Sequence, residues 1–214
     1  MRAVRMSSFS LHQSAWKYLA YSGGLSLLAL VFDFELLSYL LFALTLFIAY
    51  LFRDLKKESL SFESGNILSP VDGVVVSMEE VKNSDEYSFK MVIDSKCLDA
   101  GVLYAPMHSA LIESHFLKGT KLSDATALAK KLNERLSLVV EDEQANRVYT
   151  EHFAKSSFAD ISAQLFDKQK FHSPSRYGFM LSGVTTLYFS KNFKPSVAVG
   201  SRVSASEMLL GTFN

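Results

Sequence analysis

The chain has 214 residues, with 22 Lys+Arg against 22 Asp+Glu, so its formal net charge is zero. That balance excludes the basic footprint of a nucleic-acid binder, and 49% hydrophobic with 13% aromatic residues exclude an intrinsically disordered chain. The single cysteine, Cys97, excludes a disulfide framework and a zinc site built on paired thiolates.

The mean hydropathy of +0.14 is concentrated near the N-terminus. Tyr18 to Phe32 is almost wholly apolar or small, and Leu36 to Phe52 is apolar again. The acidic break Asp33-Phe34-Glu35 lies between them. Each run is a little shorter than the ~20 residues that cross a bilayer core. Joined by a tight polar turn, the two predict a transmembrane helical hairpin with helices over about 18–32 and 36–52. Arg2, Arg5 and Lys17 precede the first run, and Arg53, Lys56 and Lys57 follow the second. The positive-inside rule then places both ends in the cytoplasm, with Trp16, Tyr18, Tyr21 and Tyr50 as interfacial aromatics. The expected organisation is a membrane anchor over residues 1–55 and a cytoplasmic domain over 56–214, at the inner membrane. No small-x-small cleavage site separates the runs, which argues against a cleaved signal peptide.

After a polar linker from Lys56 to Gly65 the pattern changes to short β-type stretches. Strands are expected at Val74–Val76, Phe89–Ile93, Val102–Tyr104, Thr185–Phe189 and Val197–Val203. Leu136–Val140 and Arg147–Phe153 flank a polar turn and predict a hairpin. Ala110 to Phe116 alternates, which assigns Leu111, Glu113 and His115 to one face and Ile112, Ser114 and Phe116 to the other. One helix is expected, capped by Ser123-Asp124 and running to about Arg135 through Leu128 and Leu132. The fold class is therefore mainly β (α+β), a helical hairpin followed by a compact β-sandwich or partly open barrel. The Val/Gly hairpin signals also suit a lipoyl- or biotinyl-type module, but no lysine stands at a hairpin tip to carry the cofactor.

In chain order, Phe52-Arg53-Asp54, Ser69-Pro70-Val71-Asp72-Gly73, Pro106 to Gly119, Asn133-Glu134-Arg135 and Val199 to Glu207 resemble the phosphatidylserine decarboxylases, particularly the short membrane-anchored type. Ser206 replaces a glycine of the last motif. The resemblance implies a self-made cofactor. In the family a serine hydroxyl attacks the preceding carbonyl, the resulting ester eliminates, and the serine becomes a pyruvoyl group. That ketone takes the substrate amine as a Schiff base and serves as electron sink for loss of carbon dioxide. The implied substrate is phosphatidylserine and the implied product phosphatidylethanolamine, with an aspartate and a histidine assisting.

Carried over residue by residue, the aspartate is Asp72. The family's histidine context reads Asp99-Ala100-Gly101 here, and a second histidine position is Tyr104. The family's Ala-Arg-Arg-Ile stretch matches Phe158-Ala159-Asp160-Ile161, so both arginines are absent. The Gly-Ser cleavage dipeptide is transposed: ungapped counting from Tyr188, Pro195 and Gly200 puts Gly183 at the serine position. A one-residue shift makes Ser182 the nucleophile, with cleavage between Leu181 and Ser182 and a pyruvoyl group derived from Ser182. Such a shift also reverses the faces of a strand.

Other residues were weighed for the same chemistry. His108 and His115 are the replacements for the missing histidine, while His12, His152 and His172 sit in polar or peripheral contexts. Glu113, His115 and His108 show no recognised metal spacing, so no metal is expected. Cys97 has no neighbouring group that would activate it. Three readings stand. One is an active, divergent decarboxylase using Ser182 and Asp72. Another is a family member that keeps the fold without the chemistry, binding membrane phospholipid, a second copy of itself or an active paralogue. The third is an unrelated membrane-anchored β adaptor. The losses fall on the histidine, arginine and Gly-Ser positions while scaffold motifs survive, which favours the second.

Overall fold

The computed structural model describes residues 9–55, 65–82, 86–123, 128–171 and 175–213. Arg2, Arg5, Lys56, Lys57, most of the linker, Asp124 and His172 lie outside the described residues. The chain divides into two units, Met1–Lys56 and Lys57–Asn214.

In the first unit β1 (Phe9–Leu11) pairs antiparallel with β2 (Arg53–Leu55), Ser10 opposite Asp54. Between them run α1 (Ala15–Val31) and α2 (Glu35–Leu51), 17 residues each. The acidic break turns the chain, with Asp33 at φ 59° and the Phe34 amide donating to the Ala29 carbonyl at 2.9 Å. The interhelical seam is polar. The Ser26 hydroxyl donates to the Ser38 carbonyl at 3.0 Å, the Ser38 hydroxyl returns to the Ser26 carbonyl at 3.1 Å, and the Thr45 hydroxyl donates to Ser22 Oγ at 3.0 Å.

The expectation of a transmembrane hairpin is overturned. Among the described residues no helix is long and apolar enough to cross a membrane. At a rise of 1.5 Å per residue, 17 residues span about 25 Å, short of the ~30 Å hydrocarbon core. The acidic turn stops the first helix at Val31. At the other end the chain leaves α2 for β2, a strand that the apolar periodicity did not announce.

The second unit is mainly β. Its strands are β3 (Asn66–Leu68), β4 (Gly73–Glu80), β5 (Tyr87–Ser95), β6 (Val102–Tyr104), β7 (Ser109–Leu117), β8 (Arg135–Glu141) and β9 (Arg147–Ala154). They continue with β10 (Ser162–Ala163), β11 (Lys170–Phe171), β12 (Arg176–Phe179), β13 (Gly183–Ser190), β14 (Phe193–Pro195), β15 (Arg202–Val203) and β16 (Leu209–Phe213). An eight-stranded antiparallel sheet runs β11-β7-β8-β9-β13-β5-β4-β15, and two three-stranded sheets, β10-β12-β6 and β14-β16-β3, complete the unit. Alternation decides the faces. Along β13, Gly183, Thr185, Leu187 and Phe189 are buried, while Val184, Thr186, Tyr188 and Ser190 stay half-buried. The buried set meets Val75, Met91, Ile93, Leu138 and Val148 from neighbouring strands and Ile67, Leu103, Tyr177 and Leu210 from the small sheets. Each fully buried large side chain contributes roughly 1.5–3 kcal/mol.

Three expectations for this unit are corrected. Among the described residues the helix is α3 (Ala129–Leu132), and Arg135, where it was expected to end, already belongs to β8. Asn133 adopts extended dihedrals because its side-chain amide is held by other segments, which ends the helix there. The strand expected over Val197–Val203 shrinks to β15, since Ser201 turns back onto Ala198. In β7 a bulge lies between Leu111 and Glu113. Leu111 opposes Val140 while Glu113 opposes the next residue, Val139, so Leu111 and Glu113 point to opposite faces.

Candidate functional site

The Ser69-Pro70-Val71-Asp72-Gly73 turn is tied down from three directions. The Ser69 hydroxyl donates to the Val71 carbonyl at 2.6 Å, and the Ser95 hydroxyl to the Asp72 carbonyl at 2.6 Å. The Ala205 amide donates to Asp72 Oδ1 at 2.7 Å. The C-terminal turn that supplies Ala205 is held in place by the Ser206 amide, which donates to the Ser69 carbonyl at 2.8 Å. Asp72 thus joins the two motifs that lie farthest apart in the unit. It lines a cleft of about 280 Å³ together with Arg202, Val203, Ser204 and Met208.

Ser182 reaches the same place from below. Its hydroxyl donates to the Ser95 carbonyl at 3.3 Å, so Ser95 connects it to the Asp72 turn. Ser182 is 3% exposed, and Met180 and Leu181 before it are also buried. The Ser182 carbonyl accepts the Lys155 amide at 3.2 Å. Ser182 and Asp72 are therefore brought near one another, but through a backbone carbonyl and not by side-chain contact.

The positions around them are filled by backbone. At Gly183, the first residue of β13, a Cβ would collide with the Phe153 carbonyl oxygen and stand 2.5 Å from Met180 Sδ. Gly101 is equally closed: a Cβ there would lie 2.8 Å from the Met180 carbonyl oxygen and 2.8 Å from the Phe179 ring. The Met180 amide donates to the Gly101 carbonyl at 2.7 Å, which holds the two segments at that separation. Tyr104 is buried, its amide donates to the Pro70 carbonyl at 3.0 Å, and the Arg176 guanidinium stands 5.7 Å from its ring centroid.

Asn133 and Glu134 are clasps. The Asn133 side-chain oxygen accepts the Leu122 amide at 2.9 Å and the Thr120 hydroxyl at 3.0 Å. Its nitrogen donates to the Leu122 and Ala154 carbonyls, both at 2.8 Å. Ala154 is the cross-strand partner of Gly183, so this clasp supports the site from outside. Glu134 Oε2 accepts the Ile161 amide at 2.8 Å, and burial pushes the carboxyl up from its usual value despite that bond. Asp160 pairs with Lys121 at 2.5 Å.

Among the described residues no hydrogen bond joins a histidine to Ser182. His115 Nε2 lies 2.6 Å from Glu113 Oε1 on the exposed part of β7. His108 lines a second cleft of about 250 Å³ with Ser109, Glu141 and Lys170. His108, Glu113 and His115 are not assembled as ligands, since among the described residues no group of three or more His, Cys, Asp or Glu could hold a metal ion. Burial lowers the His12 imidazole, opposed by Asp54. The polar surroundings expected for His152 are not what the fold provides. The residue is fully buried between Thr185 Oγ1, 2.8 Å from Nδ1, and the Tyr177 hydroxyl, 2.5 Å from Nε2. Desolvation lowers its pKa to about 3 and raises that of Tyr177, so both are neutral at physiological pH. The alternation of β9 carried the signal for this burial, because His152 falls in phase with Val148 and Thr150.

The profile of the phosphatidylserine decarboxylase family matches residues 44–211. The chain is 23% identical over 201 residues to a phosphatidylserine decarboxylase proenzyme of Paraburkholderia xenovorans, covering 92% of this chain and 94% of the relative. It is 26% identical over 178 residues to the proenzyme of Wolbachia pipientis, covering 79% and 77%. Against that of Geotalea uraniireducens it is 22% identical over 211 residues, covering 97% and 99%.

Proposed function

Because the chain belongs to the phosphatidylserine decarboxylase family, whose profile matches most of its length, we propose that it serves phospholipid metabolism as a non-catalytic member, keeping the scaffold without the self-made pyruvoyl group. The observation that carries this reading is the closure at Gly183. The family's nucleophile position holds a glycine whose missing side chain is replaced by the Phe153 carbonyl and Met180. A serine there has no room unless β9 or β13 moves.

The neighbouring Ser182 does not fit the group either. Its hydroxyl is spent on the Ser95 carbonyl, and among the described residues no hydrogen bond joins it to a histidine or carboxylate that could take its proton. Asp72, the other carried-over residue, turns Oδ1 to the Ala205 amide. The positions from which the family's histidine would act hold Gly101, closed by Met180 and Phe179, and Tyr104, buried beneath Arg176. Asp160 adds negative charge where an arginine would meet an anionic headgroup.

Association with membrane phospholipid at the cytoplasmic membrane is part of this reading. What supports it is the inverted polarity of the first unit: Tyr21 and Leu36 are 78% and 81% exposed, while Ser22, Ser26 and Ser38 face inward. No described helix crosses the bilayer in this reading, so contact is with the phospholipid surface.

The test is the intact mass of the full-length protein purified in mild detergent. A single chain of 23.9 kDa is expected. Two chains parted before Ser182, the second with a blocked N-terminus, would establish self-processing and replace this reading with that of an active divergent decarboxylase.

A further inference from the structure

The cleft that His108 lines shares no residue with the one beside Asp72. Its floor is a cross-strand row. Ala110 of β7 stands opposite Lys170 of β11 on one side and Glu141 of β8 on the other. Directly opposed residues of an antiparallel pair point to the same face, so all three share one. It is the outer face, because their strand neighbours Ser109, Leu111, Val140 and Phe171 are buried. Ala110 carries only a methyl between two long charged side chains. The result is a trough two strand spacings wide, roughly 9–10 Å. Ile112, 53% exposed, gives it an apolar wall, and Glu143 lines it beside Glu141.

The charges around the trough are of two kinds. Some are already committed. Glu141 Oε2 accepts Arg147 Nε at 2.5 Å. Asp142 Oδ1 accepts the Gln144 and Asn146 amides at 2.8 and 2.9 Å, and its Oδ2 the Asn146 side chain at 2.8 Å. Two others are not. Among the described residues neither the Lys170 ammonium nor the Glu143 carboxylate forms an ion pair or a side-chain hydrogen bond, with one another or with a neighbour. Opposite charges that line one small cleft without meeting suit a ligand that bridges them.

We infer that this cleft binds a small zwitterion of the ω-amino acid type, a primary ammonium and a carboxylate joined by a short aliphatic chain. Lys170 takes the carboxylate, Glu143 takes the ammonium, and the chain lies over the Ala110 methyl against Ile112. Charge matching sets the class: one unpaired cation and one unpaired anion call for one charge of each sign, and a phosphate dianion would leave a surplus. Volume sets the size, because about 250 Å³ falls below the range of about 300–1,000 Å³ that holds drug-sized molecules. Glu141, on the same side as Glu143, adds negative potential at the ammonium end. The site does not depend on whether the chain processes itself.

The test is a titration of the full-length protein in mild detergent, read by methyl NMR at Ala110 and Ile112. The probes are ω-amino acids from β-alanine to ε-aminocaproate, with butyrate and butylamine as controls that each lack one charge. Saturable shifts at those two methyls are expected, tightest at one chain length. The affinity should exceed that of either control by about threefold or more, the effect of one exposed ion pair. Lys170→Gln should bring the zwitterion down to the level of butylamine, and Glu143→Gln down to that of butyrate. The double variant Lys170→Glu/Glu143→Lys should restore binding with the ligand reversed. All of these positions are exposed, so the urea midpoint should stay at the wild-type value. The absence of a saturable shift at every chain length overturns the proposal. So does a zwitterion that binds no more tightly than butyrate and butylamine, or binding that survives Lys170→Gln and Glu143→Gln together.

Discussion

Ser206 stands where the family motif has glycine, and the structure shows what that substitution costs. Its φ is +63°, in the left-handed region, and it is 1% exposed. Its hydroxyl is buried without a hydrogen-bond partner among the described residues. Left-handed backbone costs a residue with a Cβ about 1–2 kcal/mol, and a buried unsatisfied hydroxyl about 1–3 kcal/mol. Against these, glycine loses about 0.5–1 kcal/mol more conformational entropy on folding. Ser206→Gly should therefore stabilise the protein by about 1–4 kcal/mol, and Ser206→Ala, which removes only the hydroxyl, by a smaller amount. The assay is urea denaturation of the three proteins followed by fluorescence, with unchanged slope and a higher midpoint for glycine. The backbone bonds from Ala205 to Asp72 and from Ser206 to Ser69 are kept in every variant. A glycine variant no more stable than wild type, or an alanine variant more stable than glycine, would refute the assignment of strain to this residue.

His152 makes stability depend on pH. Its folded pKa of about 3 lies below the unfolded value of 6.5, so the unfolded state binds the extra proton between those limits. Stability is full above about pH 6.5 and is lost as pH falls toward 3, by up to ~1.4 kcal/mol per unit. Unfolding free energies from urea denaturation at pH 7 and pH 5 should differ by about 2 kcal/mol more in the wild type than in His152→Gln, and equal differences would remove His152 as the cause. Gly183→Ser returns the family's nucleophile to its position without its space. The clash with the Phe153 carbonyl should destabilise the protein by about 2 kcal/mol or more while the intact mass stays that of one chain. Cleavage in that variant would show that β9 and β13 can part to admit the side chain.

Some of this protein was legible from local pattern. The two apolar runs and the acidic break between them mark a pair of helices because run composition and turn chemistry are properties of adjacent residues. The β8–β9 hairpin was legible for the same reason, as was the Asp72 turn from Pro70 and Gly73. The ordered motifs also pointed to the family to which the chain belongs.

Other features depend on partners distant in sequence. The helices fall short of a membrane span because β1 and β2 close the unit, a pairing across 44 residues for Ser10 and Asp54. α3 ends at Asn133 because the side chain is claimed by Leu122 and Ala154. The bulge in β7 moves Leu111 to the face opposite Glu113, which no period of two can anticipate. His152 is buried because Thr185 and Tyr177 come to it from other strands. At the site, the resemblance sets Gly101 and Gly183 where a histidine and a serine are expected. Only the packing of Met180, Phe179 and the Phe153 carbonyl against them shows that side chains have no room there, because excluded volume is set by neighbours and not by the glycine itself.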